Sequence, residues 1–329
     1  MSSSEDVSIA KKDNGDSQMV RYAVVGLGYI AQAAVLPAFA KATNSKLAAL
    51  ISDDPAKLSK LGKKYKAPIT CSYDEYDDCL ASGEIDAVYI ALPNSMHREY
   101  TVRACQAGLH VLCEKPMAVT EADCEAMIAA AEEARVKLMV AYRLHFEEAN
   151  MQAVEFVQSG TLGEVRSFNS IFTMQVKDGD IRVKKELGER LASFTASFGA
   201  ADVSAYQVIG TEGNLRVDPA YEFASGLKHQ LTIKGKKREH KFPKRDQFAP
   251  ELVYFSNCII NNQAPEPSGR EGLADVRVIQ ALYQSATMGA SVTLGDFERK
   301  NRPALDQAMN EPAAKKPELF RAASPTRND

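Results

Sequence analysis

The sequence of 329 residues predicts an α/β fold with two domains: a doubly wound parallel sheet with helices on both faces, then an α+β domain on a mostly antiparallel open sheet. Three observations predict it. Short apolar runs alternate with amphipathic stretches from Arg21 to Arg143, the rhythm of βαβ units. A glycine-containing turn joins the first apolar run directly to the first amphipathic one. After Arg143 the rhythm changes to alternating β-type segments.

The apolar runs of the first domain are Tyr22 to Val25, Leu47 to Ile51, Ala87 to Ala91, His110 to Leu112 and Leu138 to Ala141. Each is too short for a helix and rich enough in Val, Ile and Leu to be buried on both faces. The stretches between them read as helices: Ala31 to Lys41, Pro55 to Tyr65, Met96 to Ala107 and Glu121 to Arg135. Asn94 or Ser95 is placed to cap the third, and Thr120 with Asp123 forms a capping-box-like start for the fourth. In the second domain a helix, Asn150 to Gln158, precedes strands at Val165 to Val176, Leu191 to Phe198, Ser204 to Ile209, Asn214 to Val217 and Gln230 to Ile233. The basic run Lys234 to Lys241 reads as a solvated strand or hairpin. Helices near Pro250 to Asn262 and Arg270 to Gly289 close the fold. The domains expected are therefore a floppy tail over 1–19, a first domain over 20–143, a second over 144–300 and a polar tail over 301–329.

Composition narrows the function. A net charge of -3 with dispersed Lys and Arg gives no basic stripe for phosphates, which speaks against nucleic acid as a partner. Six cysteines without a CxxC pair, and no His to complete a metal site, read as reduced thiols and no metal. The polar start carries no targeting signal and no apolar run is long enough to span a bilayer, so a cytoplasmic chain with no membrane partner is expected.

Gly26-Leu27-Gly28-Tyr29-Ile30-Ala31 carries the chemistry. Gly26 permits the tight turn, Gly28 leaves room for a diphosphate against backbone, and Ala31 lets the helix approach the sheet. An anionic diphosphate then meets the peptide NH groups from Gly26 through Tyr29 to Ile30 at a helix N-terminus, the arrangement of a Rossmann dinucleotide site. The second strand ends at Ser52-Asp53-Asp54-Pro55-Ala56-Lys57. An acid at its end would accept the adenosine ribose hydroxyls, whereas a hydroxyl with a nearby cation welcomes a 2′-phosphate. Ser52 with Lys57 therefore favours NADP. The alternative is NAD, with Asp53 on the ribose. Pro93-Asn94 and Cys113-Glu114-Lys115-Pro116 lie at carboxyl ends of parallel strands, where open α/β sheets bind ligands. An ammonium at Lys115 would stabilise the alkoxide that develops during hydride transfer. His97 and His145 also suit capping or packing.

At these positions the sequence resembles the Gfo/Idh/MocA family of oxidoreductases, named for glucose-fructose oxidoreductase and inositol dehydrogenase. The likeness rests on Val25-Gly26-Leu27-Gly28, Leu92-Pro93-Asn94 with His97, Ala107 through Pro116, and Ala141-Tyr142-Arg143. It continues more weakly through Gly160 to Glu164 and Ile209 to Gly213 to the last helix. Ser52 and Lys57 look like the NADP-binding version of the glucose-fructose oxidoreductase branch. The resemblance implies hydride transfer between the nicotinamide and a sugar, polyol or related small hydroxy compound. It implies that Lys115 contacts cofactor and substrate, and that Leu92, Pro93, Asn94, His97, Glu114 and Arg143 surround the nicotinamide and its ribose. Tyr142, Arg143 and His145 would lie toward the substrate. A homo-oligomer through the second-domain sheet is implied too.

One departure stands out. The family's glycine-rich segment and the helix bearing its Asp and His acid/base pair have no counterpart between Gly188 and Glu189, so the second sheet is expected to be shortened. A catalytically impaired, cofactor-binding regulatory or scaffold protein is the alternative that this departure raises.

Overall fold

The computed structural model describes residues 19–173, 195–197, 201–295, 297 and 303–324. The expected gap between Gly188 and Glu189, most of the expected Leu191 to Phe198 strand and residues 1–18 lie outside these.

The parallel sheet forms from β1 (Val20–Val25), β2 (Ser45–Ile51), β3 (Ile69–Cys71), β4 (Ala87–Ile90), β5 (His110–Glu114) and β6 (Leu138–Ala141). Its order, β3-β2-β1-β4-β5-β6, reverses direction between β1 and β4 and opens a crevice there at the carboxyl ends. All four residues of both β4 and β6 are buried, as strands covered by helices on two faces must be. One layer is α4 (Asn94–Gln106) with α5 (Glu121–Ala134), and the other begins with α1, where a wide turn over Ala31–Val35 continues into Leu36–Ala38. In that second layer α2 (Pro55–Tyr65) starts where the Asp54 carboxylate accepts the amides of Ala56 and Lys57.

Differences from the sequence reading have local causes. β3 and α3 (Tyr76–Leu80) are only three and five residues long, too short for either periodicity to register. The third predicted helix begins at Asn94 itself, with Pro93 in the cap position, so neither Asn94 nor Ser95 acts as the cap. Thr120 does cap α5, its hydroxyl accepting the Asp123 amide at 3.1 Å.

After α6 (Glu148–Gln158) the chain builds a second sheet from β7 (Val165–Thr173), β8 (Ala196–Ser197), β9 (Val203–Gly210), β10 (Gly213–Val217), β11 (Lys228–Ile233) and β12 (Lys236–Lys241). Its order is β12-β11-β10-β9-β7-β8, antiparallel except between β7 and β8. The basic run is the solvated outer strand of the β11–β12 hairpin, every residue of β12 being exposed.

Two later helices return to the first sheet. α7 (Ala249–Ile260) packs Leu252 and Phe255 into the same core as Tyr22 and Leu50. The Tyr22 hydroxyl pairs with Ser256, which pairs with Ser45, each at 2.8 Å, so the polar tips buried under α7 are satisfied. α8 (Gly269–Met288) lies against α5 on the opposite face. The polar end of the chain is docked over residues 303–324. β14 (Glu311–Pro312) pairs with β13 (Arg245–Asp246), and Phe320 exchanges backbone hydrogen bonds with the Gln32 side chain.

Candidate active site

The glycine turn sits at the switch point. Gly26 has φ +92°, and a Cβ there would stand 2.6 Å from the Ala91 carbonyl oxygen, so only glycine lets β1 turn beside β4. A Cβ on Gly28 would meet nothing within 4 Å. The chain thus leaves open space beside the N-terminus of α1, where amides point outward and anions bind. This is the cradle a diphosphate needs, and the residues present fit a dinucleotide. Tyr29 lines a cavity of about 480 Å³ that opens between α1, Phe223, Gln247, Phe248 and the docked tail, while Ile30 packs toward the core.

Ser52 follows β2 as a buried hydroxyl, and the Asp54 amide lies 3.3 Å from it. Asp53 is exposed and lies by Tyr73 and Tyr100. Lys57 is half-buried in the first turn of α2. Ser52 and Lys57 therefore stand on the same strand-to-helix turn.

The carboxyl ends of β4 and β5 are tied together by His97. Its Nε2 lies 2.8 Å from the Leu92 carbonyl and its Nδ1 3.0 Å from that of Pro116. Burial pulls the His97 pKa down against these carbonyls, which pull it up. Both ring nitrogens are engaged with backbone, so His97 positions the loops bearing Leu92, Pro93, Asn94 and Lys115. Lys115 itself is exposed at the end of β5. Its charge reaches Glu114, Glu251 and His97.

Beneath Lys115 lie the buried Glu114, Tyr89 and Glu251, with the half-buried Arg143. Glu114 accepts the Tyr89 hydroxyl at 3.0 Å and the Lys115 amide at 3.2 Å, and burial raises its pKa despite the opposing pull of Lys115 and Arg143. Glu251, from α7, is fully buried with neither carboxylate oxygen hydrogen-bonded, and burial with the charge of Glu114 pushes its pKa well above the usual carboxylate range. Arg143 donates to the Gln247 side-chain oxygen and the Tyr221 carbonyl and stacks on Phe223 at 5.4 Å. Burial lowers its pKa, opposed by Glu251 and Glu114.

Of the residues read from sequence, Gly26 and Gly28 follow β1, Leu92, Pro93 and Asn94 follow β4, Glu114 ends β5 with Lys115 after it, and Arg143 follows β6, all at the carboxyl edge of the parallel sheet; the cavity beside Tyr29 is lined by none of these. Tyr142 turns away from the crevice. Its ring packs in the core on the α5 side of the sheet and its hydroxyl lies near Asp275 of α8, because alternate residues at the end of β6 face opposite sides. His145 is buried edge-on to Phe146 in the turn after β6. Glu251, Gln247 and Tyr89 escaped the sequence reading. The signal that could have found Glu251 is the single acid inside the apolar stretch Phe248 to Phe255, an uncompensated charge on a face that must be buried. Among the described residues, no group of three or more His, Cys, Asp or Glu side chains is placed to hold a metal, and no helix is long and apolar enough to cross a membrane.

The chain is similar to known proteins in sequence and fold. Residues 20–142 match the GFO_IDH_MocA family, described as an oxidoreductase family with an NAD-binding Rossmann fold. The chain is 31% identical to the solved aldose-aldose oxidoreductase of Caulobacter crescentus, with a TM-score of 0.78 over 84% of this chain and 100% of that one. It is 30% identical to the dTDP-3,4-didehydro-2,6-dideoxy-alpha-D-glucose 3-reductase of Actinomadura kijaniata, over 81% of this chain and 96% of the relative. It is 27% identical to the D-xylose 1-dehydrogenase, NADP(+), of Haloarcula marismortui, over 84% and 93% respectively. With a glycine turn at the switch point and these full-length likenesses, the chain is an oxidoreductase and belongs to the Gfo/Idh/MocA family.

Proposed function

We propose that the chain is an NADP-dependent oxidoreductase that moves a hydride between the nicotinamide and a carbon of a sugar, an aldose being favoured over other polyols. Two observations carry this reading: a Cβ on Gly28 would meet nothing within 4 Å, and Lys115 stands exposed just after β5, at the same carboxyl edge of the sheet. The names of the xylose dehydrogenase and the aldose-aldose oxidoreductase support the substrate class, and the NADP(+) in the former supports the cofactor over NAD. When bound, the cofactor supplies or accepts the hydride. Gly26, Gly28, Tyr29 and Ile30 hold the diphosphate by backbone, and Ser52 with Lys57 accepts the 2′-phosphate. Leu92, Pro93 and Asn94 wall the nicotinamide, with His97 bracing their loop. Lys115 donates a hydrogen bond to the reacting oxygen and stabilises its developing negative charge. Arg143 and His145 bound the substrate side.

Residues 20–143 form the cofactor domain on this reading and 144–300 the substrate domain. The second sheet is proposed as a homo-oligomer contact, because β7 and β9 set Ile171, Val203 and Ile209 on one face, each at least 37% exposed.

The test is aldose-dependent formation of NADPH, with D-xylose and D-glucose, by the wild-type chain and by Lys115→Met. The wild type should turn over, and the variant should lose at least about a hundredfold in kcat while its NADPH Kd stays within a few-fold. Tight NADPH binding without turnover of any aldose would favour the regulatory alternative.

A further inference from the structure

The end of β2 poses an electrostatic problem for the NADP reading, on which this inference rests. Ser52 is followed by two acids, Asp53 and Asp54, and a carboxylate beside a 2′-phosphate is repulsive. The sequence from 318 to 321 lies against that end of the sheet. Its docking is specific: Gln32 of α1 is buried and uses both ends of its amide on Phe320, accepting from the Phe320 amide at 2.8 Å and donating to its carbonyl at 2.9 Å. The same Gln32 nitrogen also lies 2.9 Å from the Leu27 carbonyl, so the tail is fastened to the glycine turn. On the other side Lys64 donates to the Glu318 carbonyl at 2.9 Å, and the Lys60 ammonium sits 4.3 Å over the Phe320 ring.

From this anchor the chain places Arg321 with φ +47°, a left-handed conformation that costs a non-glycine residue energy and is kept where neighbours impose it. The turn carries the guanidinium to Asp54, with Nη1 3.3 Å and 3.4 Å from the two carboxylate oxygens. Asp54 is the residue whose amide faces the Ser52 hydroxyl. A continuous polar path therefore runs from Ser52 through Asp54 to Arg321.

We propose that the C-terminal segment 318–321 is a wall of the cofactor site, and that Arg321 determines the preference for a 2′-phosphate by neutralising Asp54 and presenting guanidinium donors beside Ser52 and Lys57. Arginine suits this position because its planar fork can hold a carboxylate and a phosphate on different edges. Lys60, held over Phe320, adds a second positive charge on the same side.

The test is fluorescence titration of the full chain with NADPH and with NADH, comparing wild type and Arg321→Ala. Arg321 is 60% exposed, so its truncation leaves the fold intact. The expected result is a roughly tenfold rise in the NADPH Kd, from loss of one charge-assisted contact, with the NADH Kd unchanged. An unchanged NADPH Kd in a wild type that prefers NADPH overturns the role of Arg321 alone. An equal weakening of both cofactors also overturns it, since the tail would then act on the turn as a whole. A wild type that binds NADPH no better than NADH overturns the NADP reading itself, and this inference with it.

Discussion

Replacing Gly28 with alanine separates the fold from the cofactor. Gly28 is outside the left-handed region, and its added Cβ would have no neighbour within 4 Å, so the folded chain accepts alanine without strain. Loss of glycine's freedom in the unfolded chain should stabilise by about 0.4–1 kcal/mol. For a protein of this size that is a rise in Tm of roughly 0.5–1.5 °C. The same Cβ occupies the space in which a diphosphate would rest on backbone amides. Hydrogen bonds to charged groups contribute about 1.5–3 kcal/mol each, so losing one weakens NADPH binding by roughly 10- to 150-fold. Thermal melts without cofactor and NADPH titrations of the same preparation read the two effects. A Kd within twofold of wild type, with the melt unchanged, would refute the placement of the diphosphate against Gly28. A collapse of the melt would refute the strain-free geometry, and would instead resemble Gly26, where the 2.6 Å approach to Ala91 forbids a side chain.

The remaining predictions concern charge and association. Glu251→Gln should change the pH dependence of stability. Burial raises the folded pKa of Glu251, so its contribution is present in full below the unfolded carboxylate value of about 4.3 and is lost as pH rises toward the folded one. Glutamine stays neutral, so the variant should match wild type near pH 4 and exceed it by a widening margin in thermal melts as pH rises to about 7 to 8; a constant offset across that range would sink the reasoning. Ile171→Asp should lower the sedimentation mass of the wild-type oligomer toward a monomer at unchanged Tm, and identical sedimentation of the two would remove the second sheet as the contact.

The first domain was legible because buried parallel strands leave long, repetitive signals. α2 runs over Pro55–Tyr65 as the pattern predicts, since Asp54, Pro55 and the basic last turn mark both ends locally. β3 and α3 were invisible because three and five residues cannot display a period, and their formation depends on pairing with β2 and packing against α4. The site divides in the same way. Glycines and the Glu114-Lys115 pair announce themselves by position after a strand. Gln32, Gln247 and Glu251 do not, because their roles arise from segments far apart in sequence: Gln32 from the tail 288 residues away, and Gln247 from Arg143, 104 residues away. The docked tail was missed because Pro and Lys composition reads as solvated chain, while what holds it are contacts distant in sequence, among them the β13–β14 pairing and the two hydrogen bonds of Phe320 to the buried Gln32 amide.

The buried acids have a consequence for Lys115. An alkoxide developing on a sugar carbon is stabilised by positive potential, and two ionised carboxylates within reach of the same ammonium would cancel it. Glu114 and Glu251 lie where burial opposes ionisation, and the charge of Glu114 adds to the cost of ionising Glu251. Arg143, lent to the crevice by the turn after β6 and held by Gln247 and Tyr221 of the second domain, offsets what negative charge remains. The field at Lys115 therefore depends on α7 and on the loops around Tyr221 and Gln247 being docked against the parallel sheet. On the proposed reading, the first domain alone would keep the glycine turn, but it would lack both Glu251 and the partners that hold Arg143, and with them the charges set around Lys115.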